Sequence, residues 1–260
     1  MNWLAAARWA LRTDGDRRRR LIATAALLPW AARALGEVPF ARERERMLAE
    51  IDHLMQLTAD RTERKRLAPC VHQAMARVPR HRFVPQEEQP WAYADRALPI
   101  GEGQTISQPF VVALMTDLLQ AEPADRVLEV GTGSGYQAAV LAECAARVFT
   151  IEIVRPLGER AAALLSELGY RNVEVRIGDG YLGWPEAAPF DRIIITAAPD
   201  HVPQPLIDQL KPGGRMVVPI GPRDQDQELL LITKDTAGRT VRQSKIPVRF
   251  VPLIRERRSP

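Results

Sequence analysis

Val127-Leu128-Glu129-Val130-Gly131-Thr132-Gly133-Ser134-Gly135-Tyr136-Gln137 is the stretch on which the fold turns. Four residues of strand character run straight into a loop with three glycines, and a helical pattern follows. Glycines there let the backbone bend sharply and come close to a ligand, and the following helix offers unpaired N–H groups at its start. Taken alone, such a loop is equally a plain strand-to-helix turn.

Working outward, short apolar runs alternate with helical ones beyond Pro123. Strands are predicted at Val127–Val130, Val148–Ile151, Val173–Ile177, Arg192–Thr196, Arg215–Ile220, Leu229–Thr233 and Arg249–Leu253. Helices are predicted between the early ones, at Gln137–Glu143 and Pro156–Leu168. Strands that alternate with helices make βαβ units, and these stack into a parallel sheet with helices on both faces. The expected fold is therefore α/β, a Rossmann-like doubly wound and mostly parallel seven-stranded sheet with N-terminal helices. Those helices occupy about 42–82, where Met47, Ile51, Leu54 and Met55, then Val71, Ala74, Met75 and Val78, recur at spacings of three and four. Pro79 and Pro85 end the helical stretch. Lys211-Pro212-Gly213-Gly214 reads as a turn before a strand.

The loop spacing is G-x-G-x-G, with Tyr136 where the dinucleotide pattern would place its last glycine. Glu152 ends the next strand, 19 residues after Gly133, where a carboxylate can accept both hydroxyl hydrogens of a ribose. The third strand ends in Gly178-Asp179-Gly180 beside the same crevice, and Asp179 either accepts from an adenine amino group or caps a turn. Together these suit an adenosine with a non-phosphate tail better than a dinucleotide.

At this point the chain resembles the class I S-adenosylmethionine-dependent methyltransferases, and within them the protein-L-isoaspartate O-methyltransferases. The likeness runs from about Glu43 to Ile254. It is carried by A-L-P-I-G-E-G-Q-T-I-S-Q-P at 97–109, V-L-E-V-G-T-G-S-G-Y-Q at 127–137, G-D-G at 178–180, P-F-D-R-I-I-I-T-A-A-P at 189–199 and V-R-F-V-P-L at 248–253. The resemblance implies methyl transfer from S-adenosyl-L-methionine to the free carboxylate of L-isoaspartyl, and also D-aspartyl, residues in damaged proteins and peptides. The methyl ester then re-closes to a succinimide without enzyme, and hydrolysis returns part of the material to normal aspartate. Residues expected at the cofactor are Glu129, Gly131, Gly133, Ser134, Gly135, Glu152, Asp179 and Gly180. Ser107 is expected to be catalytic, and the segment 248–253 to shape the peptide groove. Gln104 and Thr105 beside Ser107 either line the substrate cleft or serve the local structure.

This reaction asks little of acid–base chemistry. A free carboxylate, with a pKa of roughly 3.5–4, is already the nucleophile at neutral pH. Catalysis then rests on in-line positioning and desolvation. A hydroxyl at Ser107 can donate to one carboxylate oxygen without the charge pairing that would blunt it. Read without the family, Ser107 two positions before Pro109 is an N-cap of the apolar helix Phe110–Leu119, and both readings can hold together. A serine hydrolase is disfavoured, because neither G-x-S-x-G nor a placed histidine is present. His53, His72, His81 and His201 have no ligand spacing, no metal is expected, and Trp91 and Tyr93 read as packing around the upstream loop.

Composition narrows the alternatives. Of 36 basic and 32 acidic residues, the first 20 carry six arginines and two aspartates, so residues 21–260 hold 30 of each sign. The net +4 belongs to one end, and no basic docking face for nucleic acid is expected. A base-amino methyltransferase would carry an Asn/Asp-Pro-Pro-aromatic motif where this chain has Thr196-Ala197-Ala198-Pro199-Asp200. A class I enzyme acting on another carboxylate or on nucleic acid stays as the alternative. Two distant cysteines, Cys70 and Cys144, exclude a disulfide-scaffolded fold. No apolar run reaches the roughly 18–20 residues of a membrane span. Residues 1–42 are an extension outside the likeness, and 43–260 form one domain, helical over 43–122 and sheet-forming over 123–260. Within the extension, Arg17–Leu35 pairs a basic cluster with a short apolar stretch, the layout of a twin-arginine-like export signal or of an amphipathic helix. The cofactor is made in the cytoplasm, so the expected form is a cytoplasmic monomer, with export as the alternative.

Overall fold

A computed structural model describes residues 40–222 and 226–255. The signal-like segment at 17–35 lies outside them. The helical part comprises α1 (Ala41–Leu57), a single turn α2 (Ala59–Thr62) and α3 (Pro69–Arg77). Met47, Ile51 and Met55 of α1 and Val71, Ala74 and Met75 of α3 are buried, as their spacing requires. A short antiparallel hairpin follows, β1 (Leu98–Gly101) with β2 (Gln104–Ile106). It falls where the sequence reads as loop, because three- and four-residue strands give no periodicity. Next comes α4 (Pro109–Leu119), buried at every position.

The main sheet has seven strands: β3 (Arg126–Val130), β4 (Arg147–Glu152), β5 (Val173–Ile177), β6 (Phe190–Ile195), β7 (Leu210–Ile220), β8 (Gln227–Lys234) and β9 (Thr240–Val248). They lie in the order β5-β4-β3-β6-β7-β8-β9. The five strands β5 to β7 are parallel, and β8 and β9 add antiparallel. Helices α5 (Tyr136–Ala142), α6 (Arg155–Glu167) and α7 (Gln204–Gln209) sit between the parallel strands in sequence. The core beneath the sheet joins Leu128, Phe149, Phe190, Ile193, Met216 and Ile232, among others. Burial on both faces makes the inner parallel strands β3, β4 and β6 largely apolar, which is why they are easily found in the sequence, whereas β5 at the sheet edge is only half-buried and carries Glu174 and Arg176.

Several expectations need correcting. The last strand is Thr240–Val248 and not Arg249–Leu253. Its first five residues are exposed, so as a solvated edge it shows no apolar alternation. Residues 249–253 run outside the named strands, with a single bridge from Pro252 to Ala198, and owe their apolar character to the cleft they line. Lys211–Gly214 is the start of β7 rather than a turn, next to an irregularity in its pairing with β6. Trp91 is 54% exposed, beneath the guanidinium of Arg96, whereas Tyr93 is buried. Cys70 and Cys144 are joined in a disulfide across 74 residues of sequence.

Candidate active site

The central strand β3 lies between β4 and β6, so the chain leaves its carboxyl end toward one side and that of β6 toward the other. Ligands bind in the crevice this creates. Here the crevice is floored by the glycine loop and walled by Val130, Ile151, Glu152, Thr196 and residues 251–254. Gly131, Gly133 and Gly135 all take positive φ. At Gly131, with φ +103°, a Cβ would stand 2.5 Å from Oγ1 of Thr196. That hydroxyl donates to the Gly131 carbonyl at 2.6 Å, so the loop is pinned to the end of β6. Gly180 lets the turn after β5 approach just as closely, because a Cβ there would meet Val130 at 2.3 Å.

Glu152 is buried at the tip of β4. Its Oε2 accepts from the Gly133 N–H at 2.7 Å and its Oε1 from the Val154 N–H at 2.9 Å. The carboxylate thus fastens the glycine loop to the second strand while facing the cleft. Each oxygen keeps a further lone pair for a ligand hydroxyl.

The other expected residues divide. Gly131, Gly133, Ser134, Gly180, Gln104, Thr105 and Ser107 line the cleft together with Glu152. Gly135 does not, and is packed against Ala161 and Leu165. Asp179 does not either, because its Oδ1 accepts from the Tyr181 N–H at 2.9 Å and caps the turn that presents Gly180. Glu129 lies within β3, wholly buried behind the loop, and neither of its carboxyl oxygens has a hydrogen-bond partner. Burial pushes its pKa up to about 8, helped by the negative charge of Glu152. At neutral pH it is a neutral acid, the form that an apolar site favours.

Ser107 stands where two cavities meet. The second cavity shares Thr105, Ser107, Thr196 and Val251 with the first, and is completed by Phe110 and residues 246–250. Ser107 does not cap α4. Gln108 occupies the cap position and makes no side-chain cap bond of its own. Asp95 does that work from outside the helix, its Oδ1 accepting from the Phe110 N–H at 2.7 Å and its Oδ2 from the Gln108 amide at 3.1 Å. The Ser107 carbonyl accepts from Arg80 at 2.7 Å. The serine hydroxyl is therefore not spent on the helix.

The sequence reading missed Arg80 and Asp95. Arg80 is fully buried, and burial lowers its pKa. In a chain with 32 arginines, one buried guanidinium gives no compositional signal. The proline on each side of the segment, Pro79 and Pro85, was the one hint that it is held rigidly.

The family model described as protein-L-isoaspartate(D-aspartate) O-methyltransferase matches residues 52–258. A relative from Syntrophobacter fumaroxidans named protein-L-isoaspartate O-methyltransferase 2 is 55% identical over 215 residues, covering 83% of this chain and 87% of its own length. One from Cupriavidus necator, named protein-L-isoaspartate O-methyltransferase 1, is 52% identical over 235 residues and covers 90% of each. Among solved structures, a protein-L-isoaspartate O-methyltransferase superposes with a TM-score of 0.70 at 30% identity, over 80% of this chain and 65% of that one.

Proposed function

We propose that this chain, which belongs to the protein-L-isoaspartate(D-aspartate) O-methyltransferase family, methylates the free carboxylate of isoaspartyl residues in damaged proteins and peptides. The observation that carries the reading is the position of Ser107, on the wall between a glycine-floored cleft and a second cavity lined by residues 246–251. The first cleft fits S-adenosyl-L-methionine. A loop that brings Gly131 and Gly133 to the cleft without side chains leaves room for close approach of a methionine tail, Glu152 keeps acceptor capacity for ribose hydroxyls, and Val130 and Ile151 offer apolar walls. Gly131, Gly133, Ser134, Glu152 and Gly180 would hold the cofactor directly. Glu129, Gly135 and Asp179 would shape that site from behind.

When bound, the cofactor supplies a methyl group on a sulfonium that leaves readily. The chain's part is to orient and to exclude water. Ser107 donates its hydroxyl hydrogen to one oxygen of the substrate carboxylate and leaves the other facing the first cleft. The oxygen so presented would accept the methyl group, with the sulfur keeping the bonding pair, so that the carboxylate's negative charge and the sulfonium's positive charge would cancel. Low-dielectric walls favour such a charge-cancelling step over its separated reactants. Thr105 and residues 248–251 would flank the peptide, and Gln104 would close the cleft from β2.

We further infer a monomer that acts on proteins and peptides rather than on nucleic acid or membrane. Support comes from the balanced charge of residues 21–260, and among the described residues no helix is long and apolar enough to cross a membrane. The supply of cofactor favours the cytoplasm. The deciding assay is transfer of tritiated methyl groups to an isoaspartyl peptide beside its aspartyl twin. Labelling of the isoaspartyl peptide alone is expected, and equal labelling of both, or of neither, overturns the reading.

A further inference from the structure

The loop that carries Ser107 is held by charges that come from elsewhere in the chain. Arg80 follows α3 in a single helical turn, Arg80–Phe83. Its Nε donates to the Ala92 carbonyl at 2.7 Å and its Nη2 to the Ser107 carbonyl at 2.7 Å. The guanidinium also lies 4.8 Å from the ring centre of Tyr136. Tyr136 is the first residue of α5, directly after the glycine loop, and is itself buried on the wall of the cofactor cleft. Asp95 completes the arrangement by holding Gln108 and Phe110, and its negative charge favours the cationic form of Arg80.

A fully buried guanidinium is costly to desolvate, and a fold that needed only packing would use an apolar side chain there. What the planar fork offers is two directed bonds and a stacking face at fixed angles to each other. Those directions lead to the substrate loop on one side and to the start of the cofactor helix on the other. We propose that Arg80 is a positioning residue for methyl transfer: it sets the Ser107 loop at a fixed separation from the glycine loop, with Asp95 as the second anchor. This rests on the role given to Ser107 above. Arg80 lines neither cavity and acts only through the residues it holds.

The experiment is a double-mutant cycle on the full chain, reading methyl transfer to an isoaspartyl peptide and the affinity for S-adenosylhomocysteine separately. Lysine keeps the charge but cannot make both bonds and the stack, so Arg80→Lys is expected to lower kcat by roughly a hundred-fold, the scale of a 1 Å misplacement. Affinity for S-adenosylhomocysteine should stay within about three-fold, since the glycine loop keeps its own anchors. In a Ser107→Ala background the same substitution should cost less than about five-fold, because the group it positions is gone. An undiminished loss in that background, or a parallel fall in kcat and cofactor affinity, would overturn the proposal. Should Arg80→Lys not fold, Asp95→Asn probes the loop from its other anchor. A folded Asp95→Asn protein with unchanged kcat would equally overturn it. Wild-type chain that fails to methylate the peptide refutes the functional reading instead, so the two failures are told apart.

Discussion

The two sides of the cleft are built by different means. On the cofactor side, residues 127–137 fold into strand, turn and helix from local instructions, and the loop is fastened by neighbours one strand away, Thr196 and Glu152. On the substrate side, residues 104–110 contain only a three-residue strand and a helix start, and their geometry comes from Arg80 and Asp95, 27 and 15 residues upstream of the atoms they bind. On the cofactor side the motif itself dictates the course of the backbone, and distant residues only pin it. On the substrate side no such local instruction exists, so the anchors themselves set the course.

This contrast can be broken most severely from the cofactor side. Gly131→Val forces a branched side chain into φ +103° and into the Thr196 hydroxyl, a strain of about 1–3 kcal/mol before any loss of ligand space. S-adenosylhomocysteine binding should become undetectable by calorimetry, and methyl transfer should disappear with it. A variant that still binds would mean that the loop is not the floor of the site. Ser107→Ala is the matching cut on the substrate side. Removing one directed donor should slow transfer by about a hundred-fold while cofactor affinity stays put, and equal loss of both would erase the distinction between the two sides.

The smallest effect concerns Glu129, which belongs to the cofactor half without facing the cleft. Burial pushes the pKa of its carboxyl group up to about 8 in the folded chain, well above the ordinary 4.5. The unfolded chain therefore releases this proton first. The stabilising contribution is full below about pH 4.5 and is lost as pH rises through 8. Glu129→Gln should remove that decline, so the variant gains on the wild type by a few degrees in Tm between pH 5 and 8, with cofactor affinity unchanged. Thermal melts of both proteins across that range decide it. A difference independent of pH would show that Glu129 is ionised in the fold.

How far the sequence could be read follows the same division. The inner parallel strands β3, β4 and β6 were legible because burial on both faces leaves largely apolar runs, the edge strand β5 because Val173, Val175 and Ile177 alternate with Glu174 and Arg176, and the glycine loop because its spacing is a local geometric demand. The edge strand β9 was not, since T-V-R-Q-S at its start meets water. The loop around Ser107 was legible as a motif, but its capping was assigned to the wrong residue. The true cap, Asp95, lies 15 residues from the N–H it binds, and no local pattern reports a contact over that distance. Arg80 was hidden for a further reason, because burial of a charge is the opposite of what its residue type leads one to expect.

The bond between Cys70 and Cys144 reaches beyond architecture. It closes 74 residues, tying the start of α3 to the chain just after α5 and so linking the helical part to the sheet. Closing a loop of that size takes about 4 kcal/mol of freedom from the unfolded chain. Such bonds persist in oxidising compartments and open in the cytosol. The disulfide-bonded and reduced forms of this chain should therefore melt apart, the bonded form higher. Melts with and without reductant then weigh one covalent bond against everything else that joins the helical part to the sheet.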